Sequence, residues 1–115
     1  MRRLLKSFSH AWRGLSYAFK SEANFRLQVI VLIFVLLAGL AVGFSSQDYI
    51  LVVLVAMLVL VLEMLNTFVE KFLDLLSPRL HHQVGLLKDI LAGAVLVAAM
   101  GAAMVGFILF GRHFF

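Results

Sequence analysis

Cysteine is absent from the 115 residues, which excludes disulfides, thiolate metal sites and cysteine nucleophiles. Proline occurs once and the glycines are clustered, so helices are expected rather than a turn-rich sheet. Charge is scarce: 14% of residues are Asp, Glu, Lys or Arg, against roughly 25% in soluble domains. There is no glycine-rich phosphate loop, no zinc-ligand cluster and no serine elbow. His81-His82 are adjacent, and adjacent positions do not face one way on a helix, so a loop or tail is expected there. What fills the chain is apolar, at 63%. Such a chain cannot clothe a compact globule in polar side chains, and it is too apolar to stay disordered. Its length allows one domain.

The apolar residues fall in three blocks. Residues 27–44 form a run broken only by Gln28, long enough with a flanking turn to cross about 30 Å of hydrocarbon. A secretory signal is not expected, since the run starts late, lacks a cleavage site and is followed by two more apolar segments. After a polar turn, SSQD at 45–48, an apolar run from Tyr49 to Leu62 continues into EMLNTFVEKFLDLL with its helical period intact. One helix of about 48–76 is expected, membrane-embedded over 48–70 and stopped by Ser77-Pro78. A connector over 77–87 precedes a third span at 90–110. Before the first span, Leu4, Leu5, Phe8, Ala11, Trp12, Leu15 and Phe19 recur at helical spacing opposite basic residues, an amphipathic interfacial helix over 3–22. Ser21 is a candidate cap for the next helix. The expected fold is therefore all-α, with three transmembrane helices and an interfacial N-terminal helix.

Residues 1–26 hold six basic residues and one acid, whereas the 45–48 turn carries only Asp48. Positive charge marks the cytoplasmic side. The N-terminus and the 71–88 region are expected inside, the 45–48 turn and C-terminus outside, with Arg112 the one dissenting charge. A basic end on an apolar body suits an anionic membrane surface and does not suggest nucleic acid. Ala94, Ala98, Ala102 and Gly106 share a face, as do Gly39 and Gly43, and such strips allow close helix approach in lipid. A homo-oligomer is expected, because three spans alone enclose little.

The polar residues are not scattered. Glu63, Asn66, Glu70 and Asp74 lie at i, i+3, i+7 and i+11. At about 100° per residue they form one stripe roughly 80° wide, bordered by Thr67. Carboxylates at lipid depth need a cation or an aqueous cavity. Lys71 lies off the stripe, and a hard divalent cation such as magnesium would resolve the repulsion. Lys88-Asp89 opens the third span and could offset the acids or hold a phosphate. Glu22 is the lone acid of the basic region. All three pieces fall at the expected cytoplasmic boundary. Interhelical glue, an ion or proton path, and a site acting on a lipid headgroup with phosphate and metal all remain open from these residues alone.

The order E-x-x-N-T-x-x-E-x-x-x-D (63–74), a connector with His81, and K-D-x-x-A-G-A-V-L (88–96) resembles the prokaryotic diacylglycerol kinase family, which also includes undecaprenol kinases. F-x-x-A-x-x-G-L (8–15) and E-x-N-F-R (22–26) resemble it too. The resemblance implies a three-span bacterial inner-membrane kinase, a homotrimer with active sites shared between subunits. It transfers the γ-phosphoryl of ATP to a lipid hydroxyl, undecaprenol or diacylglycerol, using Mg2+. It implies Glu63 as general base with Asn66 on the same face, and Glu22 and Glu70 as metal-binding carboxylates at the ATP site. It places Asp74, Lys88 and Asp89 near the nucleotide, Gly85 and Ala92 as small residues there, and Arg3 and His10 where some members contact the nucleotide. Lipid substrate contact falls to Glu63, Phe68 and Ala92. The family's usual alanine and isoleucine after N-T are Phe68-Val69 here, off the stripe, so altered packing or lipid contact is expected rather than lost chemistry. The alternatives to a lipid kinase are a non-enzymatic membrane scaffold and an ion-translocating subunit.

Overall fold

A computed structural model describes residues 1–76 and 81–114, without the side chains of His81 and His82. It contains four helices: α1 (Arg2–Ser21), α2 (Ala23–Val42), α3 (Ser46–Leu76) and α4 (His81–Phe114). Three of them, α2, α3 and most of α4, are long and apolar enough to cross a membrane. The all-α, three-span architecture expected from the sequence is therefore the observed one.

Three boundaries differ from expectation. First, α4 begins at His81, so residues 81–87 are helical rather than a connector. Nothing in GLLKD interrupts a helix, and an apolar run marks only the lipid-embedded part of one. Second, α3 begins at Ser46, so Asp48 sits in its first turn and not in the preceding loop. The Ser45 hydroxyl accepts from the Asp48 amide at 3.2 Å, and the Asp48 carboxylate accepts from the Ser45 amide at 3.0 Å. That reciprocal box satisfies two otherwise orphaned helix-start donors. Third, Ser21 does not cap α2; its hydroxyl donates back to Tyr17 O at 2.7 Å. The expected Ser77-Pro78 stop lies outside the described residues.

The break between α1 and α2 is a single extended residue, Glu22. Arg26 folds back across it, donating to Phe19 O at 2.9 Å and Lys20 O at 2.8 Å. A cation on the last carbonyls of a helix both satisfies them and opposes the helix dipole. Ala18 and Phe25, one on each helix, are buried at this corner. The apolar face of α1 remains open, with Leu4, Leu5, Phe8 and Trp12 exposed. In water that face would be unfavourable; at a lipid interface it is solvated.

The α2–α3 turn uses Gly43 at φ 86°, a left-handed conformation glycine adopts without strain. Phe44 then folds its ring onto Gly39, where a Cβ would collide with it. Phe44 also packs edge-on to Tyr49 at 5.5 Å and against Phe110 at 5.0 Å, closing this end of the bundle. Elsewhere α2 and α4 splay apart. Between them and α3 lies a cleft of about 240 Å³ lined by Gln28, Val52, Val59, Ala102 and Gly106 among others. The small-residue face of α4 therefore borders open space in the monomer. An added Cβ at Gly93, Gly101 or Gly106 would meet nothing within 4 Å, so these glycines make no close helix contact here.

Candidate active site

The stripe on α3 keeps its one-face geometry. Its members grade from buried to exposed along the helix. Glu63 is 5% exposed, Asn66 and Glu70 are half-buried, and Asp74 is exposed. Thr67, buried beside Glu63, donates its hydroxyl to Glu63 O at 3.1 Å, which removes a polar group from competition for the carboxylate. Asn66 donates Nδ2 to Glu70 Oε1 at 3.3 Å, orienting that carboxylate. The other end of the same amide, Asn66 Oδ1, is buried with no partner among the described residues.

The neighbouring elements bring the remaining charges in. Glu22, at the α1–α2 corner, acts with Glu70 as an electrostatic neighbour of Glu63. Glu22 thus lies within electrostatic range of the α3 stripe. Across from it, Lys88 of α4 donates to Asp74 Oδ1 at 2.7 Å. The pair is solvated enough to contribute at most about 1 kcal/mol to stability, so its geometry matters more for charge placement than for folding. Lys71 stands 5.9 Å over the Tyr17 ring and in the field of Glu22 and Asp74. Sequence spacing set Lys71 aside as off the stripe. The missing signal was α1, whose Tyr17 meets α3 only once the chain is folded.

Other expected members stand apart. Asp89, Gly85 and Ala92 are exposed on α4, Asp89 and Gly85 close in sequence to Lys88. Phe68 is exposed off the stripe and stacked on Phe72 at 6.2 Å, consistent with a lipid-facing position. Arg3 and His10 are exposed on α1. Along that helix they lie about 28 Å and about 18 Å before Glu22.

Among the described residues no three acids or histidines lie close enough to enclose a metal ion. That donor set still fits magnesium, which keeps waters and takes one or two carboxylates plus substrate phosphates rather than an all-protein cage. Glu22 and Glu70 would be the carboxylates to supply it.

The chain matches the prokaryotic diacylglycerol kinase family over residues 9–110. It belongs to that family. It is 38% identical over 104 residues to a Synechocystis diacylglycerol kinase, covering 90% of this chain and 59% of that one. The chain thus spans little more than half of that relative. It is 33% identical over 110 residues to the Bacillus subtilis undecaprenol kinase, covering 96% of this chain and 89% of that one. To an Escherichia coli diacylglycerol kinase it is 29% identical over 112 residues, covering 97% and 92%. With bacterial relatives and three helices of spanning length, this diacylglycerol kinase family member is a bacterial membrane protein.

Proposed function

We infer that the protein is a lipid kinase that phosphorylates the hydroxyl of a membrane lipid alcohol, undecaprenol or diacylglycerol, with ATP. The observation that carries this is a buried carboxylate, Glu63, facing the same way as Asn66 and Glu70 and flanked by Glu22, in a chain of this family. A lipid hydroxyl lies at the interface, which is where a base must be to meet it. One turn from Glu63 toward the bilayer centre, Val59 lines the largely apolar cleft, a surface that suits the tail of such a lipid.

These placements support the following reaction. The lipid hydroxyl oxygen attacks the γ-phosphorus as Glu63 takes its proton. The bond from the γ-phosphorus to the β–γ bridging oxygen breaks, and ADP leaves. Asn66 holds Glu70 in place and offers its free oxygen to a donor in the bound complex. Lys88 faces the developing charge on the phosphoryl oxygens, moving from Asp74 or sharing with it. Glu22 and Glu70 would hold magnesium, which neutralises phosphate charge when bound. The protein's task is alignment and charge neutralisation, so a glycine loop is not needed.

Arg3 and His10, remote from their own stripe, reach a nucleotide only if α1 serves a neighbouring subunit. This supports a homotrimer with shared sites. The basic N-terminal region supports a cytoplasmic N-terminus and ATP site, with the C-terminus outside.

Purified protein in vesicles, supplied with ATP, Mg2+ and either lipid alcohol, is expected to form the lipid phosphate. Glu63→Gln is expected to lower the rate by roughly 10²- to 10⁴-fold without loss of helicity. Parent-level turnover by that variant removes Glu63 as the base, and no turnover by the parent on either alcohol removes the kinase reading.

A further inference from the structure

A second polar cluster lies at the opposite end of the bundle and takes no part in the chemistry above. Asp48 is only 2% exposed. Its carboxylate accepts from Arg112 Nη2 at 3.0 Å and lies 3.0 Å from His113 Nε2. The His113 ring also stands 5.4 Å from Phe44, so the last turn of α4 is seated on the α2–α3 turn. A buried carboxylate is tolerable only when it is paired, and removing its partner leaves an uncompensated charge.

Between its two ends the α3–α4 pair is joined by apolar contacts, with Val52 and Val59 of α3 and Val95 and Leu109 of α4 buried. No charged residue falls between Asp48 and Glu63 on α3, or between Asp89 and Arg112 on α4. The covered positions of α4 in that stretch are all apolar: Val95 and Leu109 are buried, Leu91, Val105 and Phe110 half-buried, and Ala99, Ala102 and Gly106 border the cleft. Apolar contact is non-directional. The directional contacts lie at the ends: Lys88–Asp74 at one, solvated and weak, and at the other the buried Asp48 carboxylate held by Arg112 and His113. From Arg112 to Lys88 is about 36 Å of continuous helix, stiff enough to carry an axial position from one end to the other. A slip of one turn, about 5.4 Å, would separate Lys88 from Asp74 and from the carboxylate stripe.

We propose that Asp48, Arg112 and His113 form a positioning clasp that sets the axial register of α4 on α3 and so holds Lys88 at the phosphoryl-transfer site. The proposal rests on the kinase reading for its activity readout, but register can be read without it.

The test changes the α4 side, because Asp48 also caps α3. The full chain carrying Arg112→Gln with His113→Gln is placed in vesicles beside the parent and Arg112→Lys. The cysteine-free sequence allows spin labels at Leu75→Cys and Leu86→Cys, both exposed at the Lys88 end, diluted with unlabelled chain. The double variant is expected to broaden or shift the Leu75–Leu86 distance by several ångströms. It is expected to raise KM for ATP by roughly tenfold, as loss of alignment does, with a smaller change in KM for the lipid. Arg112→Lys is expected to restore much of both. A folded double variant with the parent's distance distribution and KM for ATP overturns the proposal. So does unfolding of the double variant together with unfolding of Arg112→Gln alone, which makes the cluster a folding requirement. If the parent phosphorylates no lipid, the kinase reading fails while the distance measurement still decides the register.

Discussion

Glu63 and Glu70 share a helix face but differ in surroundings, and that difference separates their roles. Glu63 is buried, with Thr67 against its backbone, and Glu22 and Glu70 act on it electrostatically. The proposed base is thus the more enclosed of the two. Glu70 is half-buried and anchored by Asn66, so it keeps a fixed acceptor for a cation. Glu70→Gln is therefore expected to raise the Mg2+ concentration needed for half-maximal phosphorylation by about tenfold, equivalent to about 1.4 kcal/mol. Titrating Mg2+ at saturating ATP and lipid measures it. A variant with the parent's Mg2+ dependence would remove Glu70 from metal binding. The stripe itself was legible in the sequence because helical angle follows directly from residue spacing. What spacing could not give was depth, which depends on what packs against each position. Thr67 is buried deeper than its bordering place on the stripe suggested.

At the scale of elements, the corner between α1 and α2 decides whether Glu22 is near the stripe at all. The sequence marked Glu22 as the lone acid of a basic region and Ser21 as a capping candidate. The structure leaves the start of α2 without a side-chain cap; Arg26 instead ties the end of α1 down from the following helix. Tyr17 under Lys71 holds the same corner against α3. Arg26→Ala removes two charge-assisted bonds at an exposed site, a loss of about 1 kcal/mol. Amides of residues 17–22 are expected to exchange several-fold faster than in the parent, with those of α3 unchanged. Phosphorylation is expected to fall through a higher Mg2+ requirement, because Glu22 moves with the corner. Unchanged exchange in residues 17–22 would show that Arg26 does not hold this corner. The longer α4 belongs at this scale too. Hydropathy ends where lipid ends, but backbone hydrogen bonding does not, so a helix can run on past its apolar run.

At the scale of the whole molecule, the proposed site draws on more than one chain. The cleft bordered by α2, α3 and α4 is open, and Arg3 lies about 28 Å along α1 from Glu22. A trimer in which α1 of one subunit serves the site of the next would use each of these. Mixing His10→Ala chains with Glu63→Gln chains, each expected to be impaired alone, is expected to raise activity above that of either alone. No recovery from co-assembled subunits, shown by cross-linking to be mixed, would sink site sharing. The Arg112 charge, which opposed the expected orientation, is paired with Asp48 across the bundle end and so adds no net positive charge there.

The sequence alone determined the solvent, the number of spans and the stripe. These follow from composition and from the 3.6-residue period, both local properties of a chain. It also carried the family, through the order of its polar residues. Tertiary structure alone decided the pairings: Lys88 with Asp74 across 14 residues, Arg112 and His113 with Asp48 across 64 and 65, and Tyr17 with Lys71. Such contacts depend on how antiparallel helices slide and turn against one another, and no spacing within one helix specifies that.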